Sequence, residues 1–422
     1  MYDWANSVHN LVITTVIFPM YFLSTAVTIL PDGSKSQMIK VFGFELPNYS
    51  AYSYTISFAT FILVLISPIL TSLADSSGRQ KLFLKLFCYL GAASCMYFYF
   101  FTRENYNTAL IAFGLSIIGW GGSIIFYNSF LPKITTEKNF DRVSARGFMF
   151  GYIGSVILLI VNLLMILKPE IFGLSKVDSE TGFTSRIAFL TVGIWWALFA
   201  QIPFYFLPKD ENIPLKMGWL QSSITELKHV LNEIKSKPLI MKFLTAFFFY
   251  DMGVQTVIYV ATIFAKDELK IPQDGLIITL LLIQLVAIPG SYLAAFLSSK
   301  FGNTTGLIIF VALWTIAPIA AYFTYTPTPF YYIAAMVGLV MGGIQSLSRS
   351  TFTKLIPENI KDTASYFGIY DMTEKIAISV GTLIFGTIAQ YVGMRTSVLF
   401  ILVLFLLGLI FLFKIPSKKV YN

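Results

Sequence analysis

The sequence predicts an all-α membrane protein with twelve transmembrane helices in two six-helix bundles, and three observations carry that prediction. Apolar runs of about 20 residues, long enough to cross a hydrocarbon core at 1.5 Å per residue, recur along the whole chain. Of the 422 residues, 56% are hydrophobic and only 12% charged, against about 25% charged in soluble domains. One long polar stretch, Pro208 to Pro238, falls between the sixth and seventh apolar runs. The predicted organisation is therefore 1–207 as an N-terminal bundle, 208–238 as a cytoplasmic linker, and 239–422 as a C-terminal bundle with a short cytoplasmic tail.

In order, the predicted spans are Trp4–Leu30, Tyr52–Ala74, Leu82–Phe101, Thr108–Leu131, Ala145–Leu167, Ile187–Leu207, Leu239–Ala265, Leu276–Ser298, Thr304–Thr324, Phe330–Leu355, Thr363–Tyr391 and Ser397–Phe413. The apolar run Leu11 to Leu30 has no basic region before it and is long enough to span, so it is expected to be a retained helix rather than a cleaved signal. With both termini placed in the cytoplasm, 20 of the 30 Lys and Arg fall on the inner side, 9 on the outer side, and Lys375 within a span. That excess of inner basic residues sets the expected orientation. The inner set includes Arg79, Lys81 and Lys85, then Lys133, Lys138, Arg142 and Arg146, and finally Lys414, Lys418 and Lys419.

Composition also excludes function classes. Cys88 and Cys95 are the only cysteines, and seven residues apart on one helix they stand about 10 Å apart, beyond disulfide reach. His9 and His229 are the only histidines, and no HExxH, CxxC, GxSxG or GxxxxGK[ST] pattern occurs. No metal, nucleotide or other cofactor is expected. Basic residues lie between apolar spans rather than in a stripe, so no nucleic-acid partner is expected either.

Within the first half, Leu73-Ala74-Asp75-Ser76-Ser77-Gly78-Arg79-Gln80-Lys81 joins spans two and three. Gly78 permits a tight turn there, and Asp75 is suited to accept hydrogen bonds from a helix N-terminus. This segment resembles the cytoplasmic loop signature of the major facilitator superfamily, with Thr71 in place of its leading Gly and Gln80 in place of its second basic residue. The resemblance implies the major facilitator fold, with Asp75, Gly78 and Arg79 acting in gating.

A narrower likeness follows from Tyr2-Asp3-Trp4-Ala5-Asn6-Ser7, Phe18-Pro19-Met20-Tyr21-Phe22, Gly119-Trp120-Gly121, Tyr127-Asn128-Ser129-Phe130-Leu131-Pro132, Gly151-Tyr152-Ile153-Gly154-Ser155 and Tyr250-Asp251-Met252-Gly253-Val254-Gln255-Thr256. These resemble the vacuole-effluxer-like branch of that superfamily, whose yeast members are associated with amino-acid export. The branch implies amino acids or short peptides as substrates.

A repeat between the halves is partly visible. Gly121-Gly122 matches Gly342-Gly343 and Pro68 matches Pro289, both at an offset of 221, whereas Tyr2-Asp3 matches Tyr250-Asp251 at 248. Gly147, Gly151 and Ser155 form a small-residue stripe suited to close helix packing. In the linker, Leu220, Ile224, Leu227, Leu231 and Ile234 recur at helical spacing, with Lys228 and Lys235 available to anionic headgroups.

The informative residues are charges inside spans, because a charge at the bilayer centre costs at least about 2.5 kcal/mol and normally faces a partner or a cavity. Asp371, Glu374 and Lys375 share one side of span eleven. Pairing of Asp371 with Lys375 leaves Glu374 as the spare acid. Asp251 stands alone in span seven with Gln255 one turn on, an arrangement suited to proton exchange. Asn128, Tyr152 and Gln345 complete the candidate substrate or coupling set. Asn162, Arg349, Tyr127 and Tyr250 are further polar candidates.

The expected function is secondary active transport of a small polar metabolite across a membrane by alternating access, with proton coupling. The expected partners are a small-molecule solute, protons and the lipid bilayer, and the expected state is a monomer in a bacterial inner membrane. The alternatives are a uniporter or exporter of sugars, organic anions or drugs and, from another class, a solute-binding sensor or a membrane-embedded enzyme.

Overall fold

The computed structural model describes residues 1–211, 213, 219–357 and 362–416. Among them, twelve helices are long and apolar enough to cross a membrane: α1 (Tyr2–Thr25), α2 (Asn48–Ser76), α3 (Gln80–Phe100), α4 (Arg103–Ser129), α5 (Glu137–Leu167), α6 (Phe183–Phe206), α7 (Pro238–Lys266), α8 (Gly275–Phe301), α9 (Asn303–Tyr322), α10 (Pro327–Leu355), α11 (Thr363–Ala389) and α12 (Met394–Leu412). Lys418 and Lys419 lie outside the described residues.

The first helix is shorter than its apolar run. It ends at Thr25, and two antiparallel hairpins follow: β1 (Thr28–Ile29) with β2 (Lys35–Ser36), then β3 (Met38–Val41) with β4 (Phe44–Pro47). Val27, Thr28 and Ile29 are β-branched and Pro31 lacks a donor, so this segment favours extended backbone over a further helical turn. Within α1, residues His9–Ile17 form a π-helix. Val12 through Ile17 are all β-branched, the class that crowds an α-turn, and the wider π turn gives them room.

By internal contacts the chain forms two compact units, one of residues 1–66, 80–127 and 153–210, the other of residues 67–79, 128–152 and 211–422. The core of the first unit is aromatic. Phe18 stacks on Phe113 at 4.2 Å and packs on Phe98 at 4.7 Å, all three fully buried. Here α3 and α4 meet backbone to backbone, and a Cβ added to Gly119 would stand 2.4 Å from the Gly91 nitrogen.

In the second unit Gly290, Gly338 and Gly342 bring α8 against α10 in the same way, the small-residue solution to packing where lipid supplies no hydrophobic drive. A Cβ on Gly342 would lie 2.2 Å from the Ala287 carbonyl oxygen, whereas one on Gly114 would make ordinary contacts with the Thr55 methyl at 3.6 Å and the Ala59 Cβ at 3.9 Å. Gly342→Ala is therefore expected to destabilise by about 1–3 kcal/mol, the cost of overpacking, and Gly114→Ala to be nearly neutral. Equal melting temperatures for the two variants in detergent would contradict this packing.

The structure reconciles the two repeat offsets. Gly122 receives the Phe87 ring and Gly343 the Phe310 ring, with added Cβ atoms 2.4 and 2.3 Å from ring carbons. Tyr2 packs on Tyr127 at 5.0 Å, and Tyr250 bonds Ser348 at 2.8 Å. Positions 127 and 348 stand at the glycine offset of 221, so the two Tyr-Asp pairs occupy corresponding places. The surplus of 27 lies between the Tyr-Asp pair and the matched proline, and part of it is the connection itself, 22 residues (26–47) between the first two helices against eight (267–274) between the seventh and eighth.

The linker helix, Trp219–Ser236, rests on α7 and α11. Val230 and Ile234 are its buried contacts, while Ile224 is exposed, and the side chains of Leu220 and Leu227 lie outside those described. Lys237 donates to Glu233 Oε1 at 2.5 Å, and that bond holds the Glu233 carboxyl below its ordinary range.

Candidate functional site

The charged residues of α7 and α11 converge midway along both helices. Asp251 lies 13 residues into α7, and Asp371 to Lys375 lie 8 to 12 residues into α11, about 12–20 Å from the helix starts at 1.5 Å per residue. Their separation along the sequence is bridged by Gln255, whose Nε2 donates to Asp251 Oδ1 and to Glu374 Oε1, both at 3.4 Å. Lys375 Nζ stands 3.4 Å from Glu374 Oε1 and 3.5 Å from Asp371 Oδ1. A glycine makes the approach close: a Cβ on Gly381 would stand 2.5 Å from Thr256 Oγ1.

Glu374 is thus no spare acid, because it shares Lys375 with Asp371. Nor is Asp251 alone, since Gln255 ties it to Glu374 across the helix pair. The other oxygens, Asp251 Oδ2 and Asp371 Oδ2, are buried without a hydrogen-bond partner. Glu374 is the accessible member, its side chain 23% exposed against 4% for Asp371 and 7% for Lys375.

Asn128, Tyr152 and Gln345 belong to other contacts in the same unit. Tyr152 Oη donates to Gln345 Oε1 at 2.7 Å. Asn128 Oδ1 accepts from Arg349 Nη1 at 3.3 Å, and Ser144 accepts from the same guanidinium, Nε to Oγ and Nη2 to the carbonyl, both at 2.9 Å. Phe148 covers Arg349, 4.4 Å from ring centroid to guanidinium carbon.

Asp75, at the end of α2, caps α11. Its carboxylate accepts the Ser365 N–H at 2.7 Å and the Ala364 N–H at 3.2 Å, where a helix start leaves donors unsatisfied and favours negative charge. Gly78 adopts φ +63°, and its carbonyl accepts from Glu211 N at 3.0 Å. Arg79 donates its backbone N–H to Ala74 O at 2.9 Å, while its Nε is buried without a partner. Thr71, where the superfamily signature has Gly, is fully buried against Gly368, so the small residue here lies on the opposing helix.

One network escaped sequence reasoning. Lys354 Nζ bonds Asp141 Oδ2 at 2.6 Å and Asn303 Oδ1 at 2.7 Å, Asn303 Nδ2 donates to Asp141 Oδ1 at 2.7 Å, and Ser298 donates to Asp141. These residues end α8 and α10 and begin α5 and α9. Nothing in the sequence links Asp141 to Lys354, positions 213 apart.

In the first unit Tyr127 Oη donates to Asp3, and Thr191 Oγ1 donates to Asn162 Oδ1 at 3.0 Å. His9 Nε2 bonds Ser116 at 3.0 Å between the rings of Trp120 and Trp196.

The chain is similar to proteins of one kind. It is 33% identical to an uncharacterized MFS-type transporter, YxiO, of Bacillus subtilis over 99% of this chain and 94% of that one. It is 22% identical to autophagy-related protein 22-2 of Aspergillus niger, over 92% and 79%. Among solved structures, the proton:xylose symporter XylE superposes with TM-score 0.71 at 14% identity, covering 100% of this chain and 94% of that one. The human organic anion transporter MFSD10 gives 0.67 at 12%, covering 97% and 96%. These likenesses show the twelve-helix major facilitator fold and a transporter rather than an enzyme. With residues 1–421 matching the family described as Vacuole effluxer Atg22 like, the chain belongs to that family of integral membrane transporters.

Proposed function

We propose that this transporter is secondary active and proton-coupled, moving a small polar metabolite, an amino acid or short peptide, by alternating access. The observation that carries the proposal is the cluster on α7 and α11, three carboxylates against one ammonium. Full ionisation would place two uncompensated negative charges in a low-dielectric span, which is costly. Uptake of protons on Asp251, Asp371 or Glu374 removes that cost, and the long 3.4–3.5 Å contacts leave room for the network to tighten as protons leave. Lys375 then offers its charge to a substrate carboxylate, and Tyr152 with Gln345 supplies neutral hydrogen-bonding groups. Amino acids are favoured by the family likeness.

Alternating access needs ends that latch and release. The capping of α11 by Asp75, the Arg349–Ser144–Asn128 bonds and the Asp141–Lys354 network join first-half residues to second-half helices, with Gly78 and Arg79 in the turn next to Asp75. They are the contacts that one access state keeps and the other gives up.

The test is flux into proteoliposomes of purified protein, using amino acids, dipeptides, sugars and organic acids with and without an inward proton gradient. An amino acid whose uptake rises with the gradient is expected. Asp251→Asn should abolish gradient-driven accumulation while substrate counterflow persists. Gradient-independent uptake by the native protein would remove the coupling half, and flux of a sugar alone would replace the substrate class.

A further inference from the structure

The hairpin of β3 and β4 has two unlike faces. Its register pairs Ile39 with Leu46 and Val41 with Phe44 on one face, and Lys40 with Glu45, next to Met38 with Pro47, on the other. At the base of the apolar face Ile39 is buried, but at the tip Phe44 is 74% exposed. The turn itself is Phe42-Gly43, with φ +48° and +96°, the two-residue geometry in which Gly, Asn or Asp is ordinarily found at the first position. A phenylalanine there strains the backbone and holds its ring 62% exposed. An outlier of that kind points to a role outside the hairpin's own stability.

The level of the hairpin is fixed by the helices around it. Asn48, the first residue of α2, donates to the Leu23 and Ala26 carbonyls at 3.1 and 2.9 Å and so ties the end of α1 to the start of α2. Tyr106 and Asn107, in the first turns of α4, donate to the Lys40 carbonyl at 2.9 and 3.4 Å. The base of the hairpin is therefore held at the ends of α1 and α2, and Lys40, two residues before the tip, at the start of α4. Chain continuity carries β4 directly into α2, whose Tyr54, Phe58, Phe61 and Leu65 form an exposed apolar row at helical spacing, the pattern of a lipid-facing stripe.

We propose that the Phe42-Gly43-Phe44 tip is an interfacial anchor that inserts its two rings among lipid headgroups beside α2, while Lys40 and Glu45 face water. Burial in lipid compensates the strained turn and removes two large rings from water, and aromatic side chains are the residues that settle at this depth.

Nitroxide collision measurements on the full chain test this in phosphatidylcholine vesicles containing phosphatidylglycerol. Labels go on single cysteines replacing Phe42, Phe44, Phe58 (lipid-facing reference) and Ser34 (water reference), with the unsubstituted chain as control because Cys88 and Cys95 are buried. The expected result is preferential collision with oxygen at 42, 44 and 58, and with a water-soluble nickel chelate at 34. In Phe42→Asn, where the turn geometry suits the new residue, the label at 44 should lose part of its oxygen preference while the protein stays folded. Nickel preference at both 42 and 44 would overturn the proposal. So would dipolar broadening at 44 that vanishes on dilution with unlabelled protein, which would assign the face to a second copy of the chain.

Discussion

Lys375→Met is expected to be the most damaging single substitution in the molecule. It removes the ammonium within reach of Asp371 and Glu374, 3.5 and 3.4 Å away, and takes the counter-charge from the buried Asp371 carboxylate, a change that typically costs about 3–5 kcal/mol. Thermal unfolding in detergent should show a large drop, and flux should be lost. Adding Asp371→Asn and Glu374→Gln to Lys375→Met removes the unpaired charge, so stability should recover without transport. Failure of the triple variant to regain stability would show that Lys375 acts through something other than these acids.

The second large effect is expected at the latch. Asp75→Ala strips the acceptor from the Ala364 and Ser365 amides, and loss of a helix cap costs about 0.5–2 kcal/mol. Lys354→Met breaks the Asp141 pair and its Asn303 bond. If these contacts hold one access state, each variant moves the equilibrium toward the other, tenfold for every 1.4 kcal/mol. A cysteine replacing Thr353, buried and bonded locally to the Arg349 carbonyl, reports the opening by its rate of maleimide labelling. About tenfold acceleration is expected for Asp75→Ala, and more when Lys354→Met is added. Unchanged labelling in the double variant would show that these contacts stabilise the fold without gating it.

The membrane class and the twelve helices were legible because apolar length is written locally, in runs that cover one bilayer thickness. Helix ends were less legible: α5 begins at Glu137 rather than Ala145, and the end of the first helix turned on β-branched residues and a proline within an unbroken apolar run. Glu374 illustrates the limit for the site. Its spacing from Asp371 and Lys375 is helical and local, so their shared face was visible. That Gln255 on α7 bridges to it across 119 residues was not. Asp141 and Lys354 were invisible as a pair for the same reason.

The sequence by itself determined where the chain meets lipid, how many times it crosses, and which charges are stranded in spans, because hydrophobicity and helical period act within about 20 residues. Only the tertiary structure decided which stranded charges share a partner, that Asp75 caps the start of α11 and that the two Tyr-Asp pairs correspond. Those outcomes depend on helix packing, which glycines such as Gly122, Gly342 and Gly381 set by letting particular neighbours approach and excluding others. Such pairings are long-range in sequence and short-range in space, so they are settled when the helices assemble.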